Sequence, residues 1–116
     1  MPSSPVPRIS RSDILAALRA GLAEVEWIRA AWSGGSDASG RTDELSDVDL
    51  FVIAAAGRVE AVFGVVHGIL ERLSPIEVAW RLPSPTPHGC EQEFLRLRDA
   101  AAHHMVDLVV MEPESP

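Results

Sequence analysis

The sequence predicts an α+β (α/β) fold in which a mixed β-sheet carries helices packed mainly on one face. Two segments have apolar residues at helical spacing, and they alternate with shorter segments that are apolar throughout or at every second position. The order is helix, strand, strand, helix, strand, an undecided segment and a final strand, which is typical of such a sheet. The chain has 116 residues, the size of one domain with a single core.

The first half of the chain is predicted to begin with a helix. Ser10 and Asp13 fit a capping box, and the apolar residues that follow recur at helical spacing to about Glu26. Residues 27–33 then predict a strand, and Val48–Ala54 predict a second, fully buried strand. We expect these two strands to form an antiparallel pair.

The second half of the chain is predicted to contain one helix and two or three strands. An apolar stripe from residue 59 to 73 indicates an amphipathic helix, and alternation over residues 76–81 indicates a strand. Closely spaced prolines exclude regular structure over residues 82–89. Residues 93–98 fit either a strand or a helix, and residues 105–111 predict the last strand.

Both ends of the chain are predicted to lie outside the domain. We assign residues 1–11 to a flexible N-terminal segment, residues 12–111 to the folded domain and residues 112–116 to a tail. No segment approaches the ~20 apolar residues of a membrane span, and the N-terminus lacks the apolar centre of a signal peptide. We therefore expect no membrane partner and a cytoplasmic protein.

Two aspartates, Asp47 and Asp49, lie where a buried strand begins. Because alternate side chains of a strand share a face, both carboxylates point away from the side occupied by Val48 and Leu50. They are ~6.6 Å apart along the strand, which allows their oxygens to converge on the metal ions of a two-metal site. The alternative is that both acids are solvated at an ordinary strand entry.

A short turn made by Gly34, Gly35 and Ser36 precedes this strand. Without Cβ atoms the two glycines let backbone N–H groups approach an anion, and the Ser36 hydroxyl adds a donor, so the turn suits a phosphate. Gly-Ser turns are also common in ordinary loops, so the turn alone does not decide between a phosphate site and a plain connection. Its combination with the paired acids favours the phosphate site.

Residues 31–54, with a Gly-Ser turn ahead of an Asp-x-Asp strand, resemble the signature of the nucleotidyltransferase superfamily, which has the DNA polymerase beta-like fold. Four residues flank these two features: Ser39, Gly40, Asp43 and Ser46. In these residues the sequence looks most similar to bacterial antibiotic-type and minimal nucleotidyltransferase domains. The resemblance implies a nucleotidyltransferase-type sheet. It also implies a third acid on a neighbouring strand.

Asp107 is the candidate for the third acid. It lies among Val106, Leu108 and Val109, so an ionised carboxylate there needs a partner or a metal unless it lies at the rim of the sheet. A structural ion pair is the alternative to a metal or base role. Two carboxylates ~5 Å apart repel by ~3 kcal/mol at an effective dielectric constant of ~20, so a cluster of three acids favours a bound cation.

The resemblance implies a magnesium-dependent enzyme that transfers a nucleoside monophosphate to an acceptor hydroxyl and releases pyrophosphate. The expected substrate is ATP or another nucleoside triphosphate, and AMP is the group expected to be transferred. Gly34, Gly35 and Ser36 would hold its phosphates, Asp47 and Asp49 would bind the first magnesium ion, and Asp107 would bind the second and help to deprotonate the acceptor.

Several alternatives for the function stay open. The expected acceptor is a small molecule, and the alternative is a protein, as in minimal nucleotidyltransferase antitoxins that adenylylate a partner. A domain that binds nucleotides without catalysis, or a structural domain without a ligand, is also compatible with the sequence. A chain of 116 residues is small for an enzyme that encloses two substrates. We therefore expect a helical C-terminal domain or a partner subunit to complete the site.

The composition disfavours two other classes of partner. The net charge of −7 opposes binding to a phosphate backbone, which argues against nucleic acid as the acceptor. The chain has one cysteine, Cys90, and the adjacent His103 and His104 would face opposite sides of a strand, so zinc is disfavoured. We interpret these three residues as structural or solvated.

Overall fold

The computed structural model describes residues 9–33, 48–83, 90–100 and 105–113. Its elements in chain order are α1 (Arg11–Ala23), β1 (Ile28–Ser33), β2 (Val48–Ala54), α2 (Val59–Leu73), β3 (Ile76–Arg81), β4 (Glu91–Leu97) and β5 (Val106–Met111). The predicted α+β class, with a mixed sheet and helices on one face, is confirmed. The segment that fitted either a strand or a helix is the strand β4.

The five strands form one sheet in the order β1-β2-β5-β4-β3. β2 and β5 are parallel, whereas β1 with β2, β4 with β5, and β3 with β4 are antiparallel. The predicted antiparallel pairing of β1 with β2 is therefore confirmed. The last strand inserts between β2 and β4, so the two strands that carry candidate acids become neighbours in the centre of the sheet.

One face of the sheet packs against both helices. Every second residue of β2, β4 and β5 is buried, which is the period that a strand with one buried face requires. The buried apolar residues of these three strands are Val48, Leu50, Val52, Ala54, Leu95, Leu97, Val106, Leu108 and Val110. The residues between them are half-buried and lie on the opposite face, which we call the open face because neither described helix covers it.

Helix α1 has the capping box that the sequence predicts. The backbone N–H of Asp13 donates to Ser10 Oγ at 3.1 Å, and the N–H of Ser10 donates to Asp13 Oδ2 at 3.0 Å. The helix ends at Ala23 rather than at Glu26, because the backbone turns there through short-range hydrogen bonds, including one from Val25 N to Leu22 O at 3.1 Å. These bonds tighten the last turn and aim the chain into β1.

The packed unit begins earlier than residue 12. Ile9 forms a parallel bridge with Ala100 and is 7% exposed, and Arg11 is buried as the first residue of α1. Residues 9–11, which the sequence assigned to the N-terminal segment, are thus in contact with the domain. Because Ile9 buries an apolar side chain there, it contributes to the hydrophobic core.

The two helices approach each other closely at Gly21. A Cβ atom at this position would lie 2.5 Å from Cδ1 of Ile69 on α2, which is closer than packed atoms can approach. The glycine therefore lets α1 and α2 pack against each other on the covered face of the sheet. Within the described parts of the chain, neither helix is long and apolar enough to cross a membrane.

A buried acid ties α2 to the sheet. Glu93 on β4 is 5% exposed, and its Oε1 accepts a hydrogen bond from Nε2 of His67 on α2 at 2.6 Å. A buried carboxylate without such a partner would be strongly destabilising. The bond therefore fixes α2 over β4 and explains why an acid is tolerated on the covered face.

Candidate active site

Strand β2 presents Asp49 on the open face of the sheet. Its neighbours Val48 and Leu50 are buried on the covered face, and Asp49 between them is half-buried. A strand places successive side chains on opposite faces, so the packing of Val48 and Leu50 fixes the direction of Asp49. A shift of the register by one residue would place the carboxylate in the apolar core.

Strand β5 places Asp107 next to Asp49. The two residues are direct partners in the parallel pairing of β2 with β5, as are Val48 with Val106 and Leu50 with Leu108. Neighbouring strands are ~4.8 Å apart, and paired residues project to the same face. The structure thus brings two of the three predicted acids side by side on the open face.

Asp107 accepts a hydrogen bond from a residue that the sequence did not identify. Nε2 of Gln92 on β4 donates to Oδ1 of Asp107 at 2.7 Å. The direct partner of Asp107 on β4 is Phe94, and Gln92 lies two residues away on the same face, paired with Val109. Gln92 was missed because it precedes residues 93–98, the segment that fitted either a strand or a helix, and only the pairing of β4 with β5 brings it to Asp107.

The other predicted site residues lie outside the described part of the chain. These residues are Gly34, Gly35, Ser36 and Asp47, and the same holds for His103 and His104. The described residues on either side of the segment 34–47 are close together, because Ser33 at the end of β1 pairs with Leu50. The described residues that flank this segment therefore lie at the same end of the β1–β2 pair as Asp49.

The described acids suit a hard divalent cation. Magnesium prefers oxygen ligands and usually takes one or two carboxylates from a protein together with water and phosphate oxygens. Asp49 and Asp107 supply two carboxylates from rigid neighbouring strands. Among the described residues, no group of three or more histidines, cysteines, aspartates or glutamates is arranged so that it could hold a metal ion.

Aromatic pairs lie on both sides of the acid pair. Trp32 on β1 stacks on Phe51 with ring centroids 5.5 Å apart, and Trp80 on β3 stacks on Phe94 at 5.9 Å. Trp32 is 45% exposed and Trp80 is 60% exposed. The carboxylates therefore lie between two aromatic pairs at one end of the central strands, and these apolar neighbours strengthen their electrostatic interactions relative to bulk water.

A cleft of about 580 Å³ lies between α1 and β1. Its lining includes Leu15, Leu22 and Leu50, with Arg19 and Ser33 as polar members. Leu50 projects to the face opposite that of Asp49, so this cleft and the acid pair lie on different sides of the sheet. Among the described residues that line the cleft, Arg19 is the single titratable one, so we place the candidate chemistry at the acid pair.

Comparisons with known proteins give likenesses of structure and none of sequence. No protein-family model matches the sequence, and no curated protein matches it. The fold is similar to that of a chain in the structure of the GLD-2/RNP-8 complex, with a TM-score of 0.53 and 13% sequence identity. The likeness covers 86% of this chain and 37% of that chain. At this level of identity the likeness concerns the fold alone.

Proposed function

We propose that the chain is a nucleotidyltransferase domain that transfers a nucleoside monophosphate, AMP from ATP, to an acceptor hydroxyl and releases pyrophosphate. The observation that carries this proposal is the direct pairing of Asp49 with Asp107 on parallel strands, with both side chains on the open face. The similarity of the fold to a chain of the GLD-2/RNP-8 complex, in which GLD-2 is a nucleotidyltransferase, supports it. The Gly-Ser turn and Asp47, identified from the sequence, complete the proposed set of residues.

In the proposed reaction the acceptor oxygen attacks the α-phosphorus of ATP. Asp107 accepts the hydroxyl proton, a new P–O bond forms, and the bond to the β-phosphate oxygen breaks so that pyrophosphate leaves with its electron pair. In this proposal Asp49 and Asp47 orient the triphosphate of ATP. The turn of Gly34, Gly35 and Ser36 holds its β- and γ-phosphates. Bound magnesium would supply charge neutralisation for the phosphates and the carboxylates. Most of the acceleration would come from positioning.

The proposed acceptor is a small molecule. The net charge of −7 disfavours binding of a nucleic acid, although GLD-2 is a poly(A) polymerase. The chain spans about 37% of the length of the GLD-2 complex chain that it resembles, so the acceptor side of the site is proposed to require a helical domain or a partner subunit. A protein acceptor and a nucleotide-binding module without catalysis are the alternative outcomes of the following experiment.

The proposal is tested by incubating the protein with ATP labelled in the α-phosphate, magnesium and cell lysate. We expect label in the small-molecule fraction. Asp49→Asn should lower transfer by at least about 100-fold, because removal of one essential catalytic group commonly has an effect of this size. The matched control is Glu26→Gln, which removes one exposed acid before the start of β1. It should leave transfer unchanged.

Each other outcome assigns a different function. Label on one protein band indicates a protein acceptor, and label in RNA indicates a polymerase. Binding of ATP without transfer to any fraction indicates the non-catalytic module. Retained transfer by Asp49→Asn, or absence of both binding and transfer in the wild type, contradicts the proposed enzyme.

A further inference from the structure

Gln92 is the described side chain that hydrogen-bonds the carboxylate of Asp107. Its Nε2 donates to Oδ1 at 2.7 Å, and both residues are half-buried on the open face. The direct partner of Asp107 on this face of β4 is Phe94, whose ring stacks on Trp80 and has no hydrogen-bond donor. The next residue on this face, Arg96, donates from Nη2 to Oε2 of Glu77 at 3.0 Å. The amide of Gln92 therefore orients the carboxylate from the β4 side, opposite the side where Asp49 lies on β2.

A neutral amide suits this role better than a cationic side chain. An arginine or lysine at this position would orient Asp107 but would also neutralise its charge and repel a divalent cation. The amide donates one hydrogen bond and leaves the net charge of the acid pair unchanged. A carboxylate has lone pairs on both oxygens, so the bond at Oδ1 leaves Oδ2 of Asp107 able to act as a ligand on the side of Asp49.

We infer that Gln92 is a positioning residue that holds the Asp107 carboxylate in the orientation needed to bind a divalent cation jointly with Asp49. The inference rests on the proposed function, since it concerns the same acid pair. It adds a residue outside the Asp-x-Asp strand and the Gly-Ser turn. Gln92 acts through Asp107 and does not itself contact the cation. Hydrogen-bonding partners of metal ligands commonly change metal affinity by about 10–100-fold when they are removed.

The first measurement is the affinity of the full chain for Mn²⁺ in the presence of a non-hydrolysable ATP analogue. The electron paramagnetic resonance signal of free Mn²⁺ reports how much of the ion is unbound. Gln92→Met keeps an unbranched side chain of similar length but removes the donor. We expect this variant to bind Mn²⁺ about 10–100-fold more weakly than the wild type. Gln92→Val is a second variant that lacks the donor and favours a strand, so the test does not depend on the folding of one protein.

The matched control is Phe94→Leu, on the same strand and face and directly paired with Asp107. It disturbs packing beside the carboxylate but leaves the Gln92 hydrogen bond in place, so its affinity for Mn²⁺ should equal that of the wild type. Equal weakening in Phe94→Leu and the Gln92 variants would mean that Gln92 acts only through packing, which overturns the inference.

A second measurement distinguishes loss of Asp107 positioning from a general loss of enzyme activity. The magnesium concentration for half-maximal transfer should rise about 10–100-fold in Gln92→Met, while the rate at saturating magnesium stays close to that of the wild type. Wild-type Mn²⁺ affinity in both Gln92 variants overturns the inference and leaves the proposed function intact. Failure of the wild type to bind Mn²⁺ overturns the proposed metal site, and the role of Gln92 with it.

Discussion

The covered and open faces of the sheet are built by the same strands, but the acid pair lies on the open face alone. On β5, Leu108 is fully buried beneath the helices, whereas its neighbour Asp107 faces the open side and pairs with Asp49. On β4, Glu93 is buried and bonded to His67, whereas its neighbour Gln92 is bonded to Asp107. Each strand thus contributes to stability with one set of side chains and to the candidate site with the next.

Because of this alternation, one residue of a strand contributes to folding stability and the next contributes to the candidate site. The covered face gains free energy from buried apolar area and close packing. The open face keeps two acids together, and the repulsion between their carboxylates opposes folding. Substitutions of adjacent residues on one strand should therefore change different properties, and this expectation can be tested from the largest effect to the smallest.

The largest effect is expected for Leu108→Ala on the covered face. Leu108 has no exposed surface, and truncation of a buried leucine to alanine typically lowers the free energy of unfolding by about 2–5 kcal/mol. Urea denaturation followed by circular dichroism measures the change. Val109→Ala, on the half-buried open face, serves as the control and should lose less stability. An equal loss of unfolding free energy in both variants would mean that the two faces contribute equally to stability.

A smaller effect is expected for Trp80→Thr on the open face. Trp80 is 60% exposed, and its main interaction is the stack with Phe94. Stacked aromatic pairs contribute about 0.5–1.5 kcal/mol beyond buried area, and threonine preserves the preference for a strand. We expect a loss of about 1 kcal/mol in the same urea titration.

The Trp80 variant also tests whether the open face is covered in solution. A loss as large as that of Leu108→Ala would show that a further layer, such as a second copy of the chain, packs on Trp80. Sedimentation of the wild type at two concentrations would then show an oligomer. A small loss of unfolding free energy in Trp80→Thr, together with sedimentation of the wild type as a monomer, would show that the open face is uncovered in solution.

Most of the fold could be predicted from local patterns in the sequence. The helix α2 and the strands β2 and β3 have the predicted bounds, because a single periodicity covers each of them. The end of α1 was predicted too late, since Val25 continues the helical spacing but lies in the turn. The strand β4 was ambiguous because its apolar residues fit two periods over a short segment.

The pairing of Asp49 with Asp107 depends on contacts between distant parts of the chain. Local patterns predicted that each residue begins a buried strand, but they contain no information on which strands are neighbours. The parallel pairing of β2 with β5 requires a crossover through α2, β3 and β4. The same limit explains why Gln92 was missed. The roles of Gly34, Gly35, Ser36 and Asp47 stay predictions from the sequence.

The smallest effect in this series has the opposite sign. Asp107→Asn should raise the free energy of unfolding by about 0.5–1 kcal/mol in the presence of a chelator. The Coulomb repulsion of two carboxylates ~5 Å apart is ~3 kcal/mol at an effective dielectric constant of ~20, and partial exposure and salt reduce it. The asparagine of the variant still has an Oδ1 that accepts the Gln92 hydrogen bond. Thermal unfolding measures the difference.

Addition of magnesium and ATP analogue should then reverse the order of the two proteins. Ligand binding to the native state adds about 1.4 kcal/mol at a tenfold excess over the dissociation constant, and the variant lacks one of the two described carboxylates. The wild type should therefore become the more stable protein. If the wild type is already more stable with the chelator present, the acids do not repel, and Asp107 has a structural role on the open face. If Asp107→Asn is the more stable protein with the chelator and the wild type is the more stable protein with magnesium and the ATP analogue, the acid pair on the open face lowers folding stability but binds a cation.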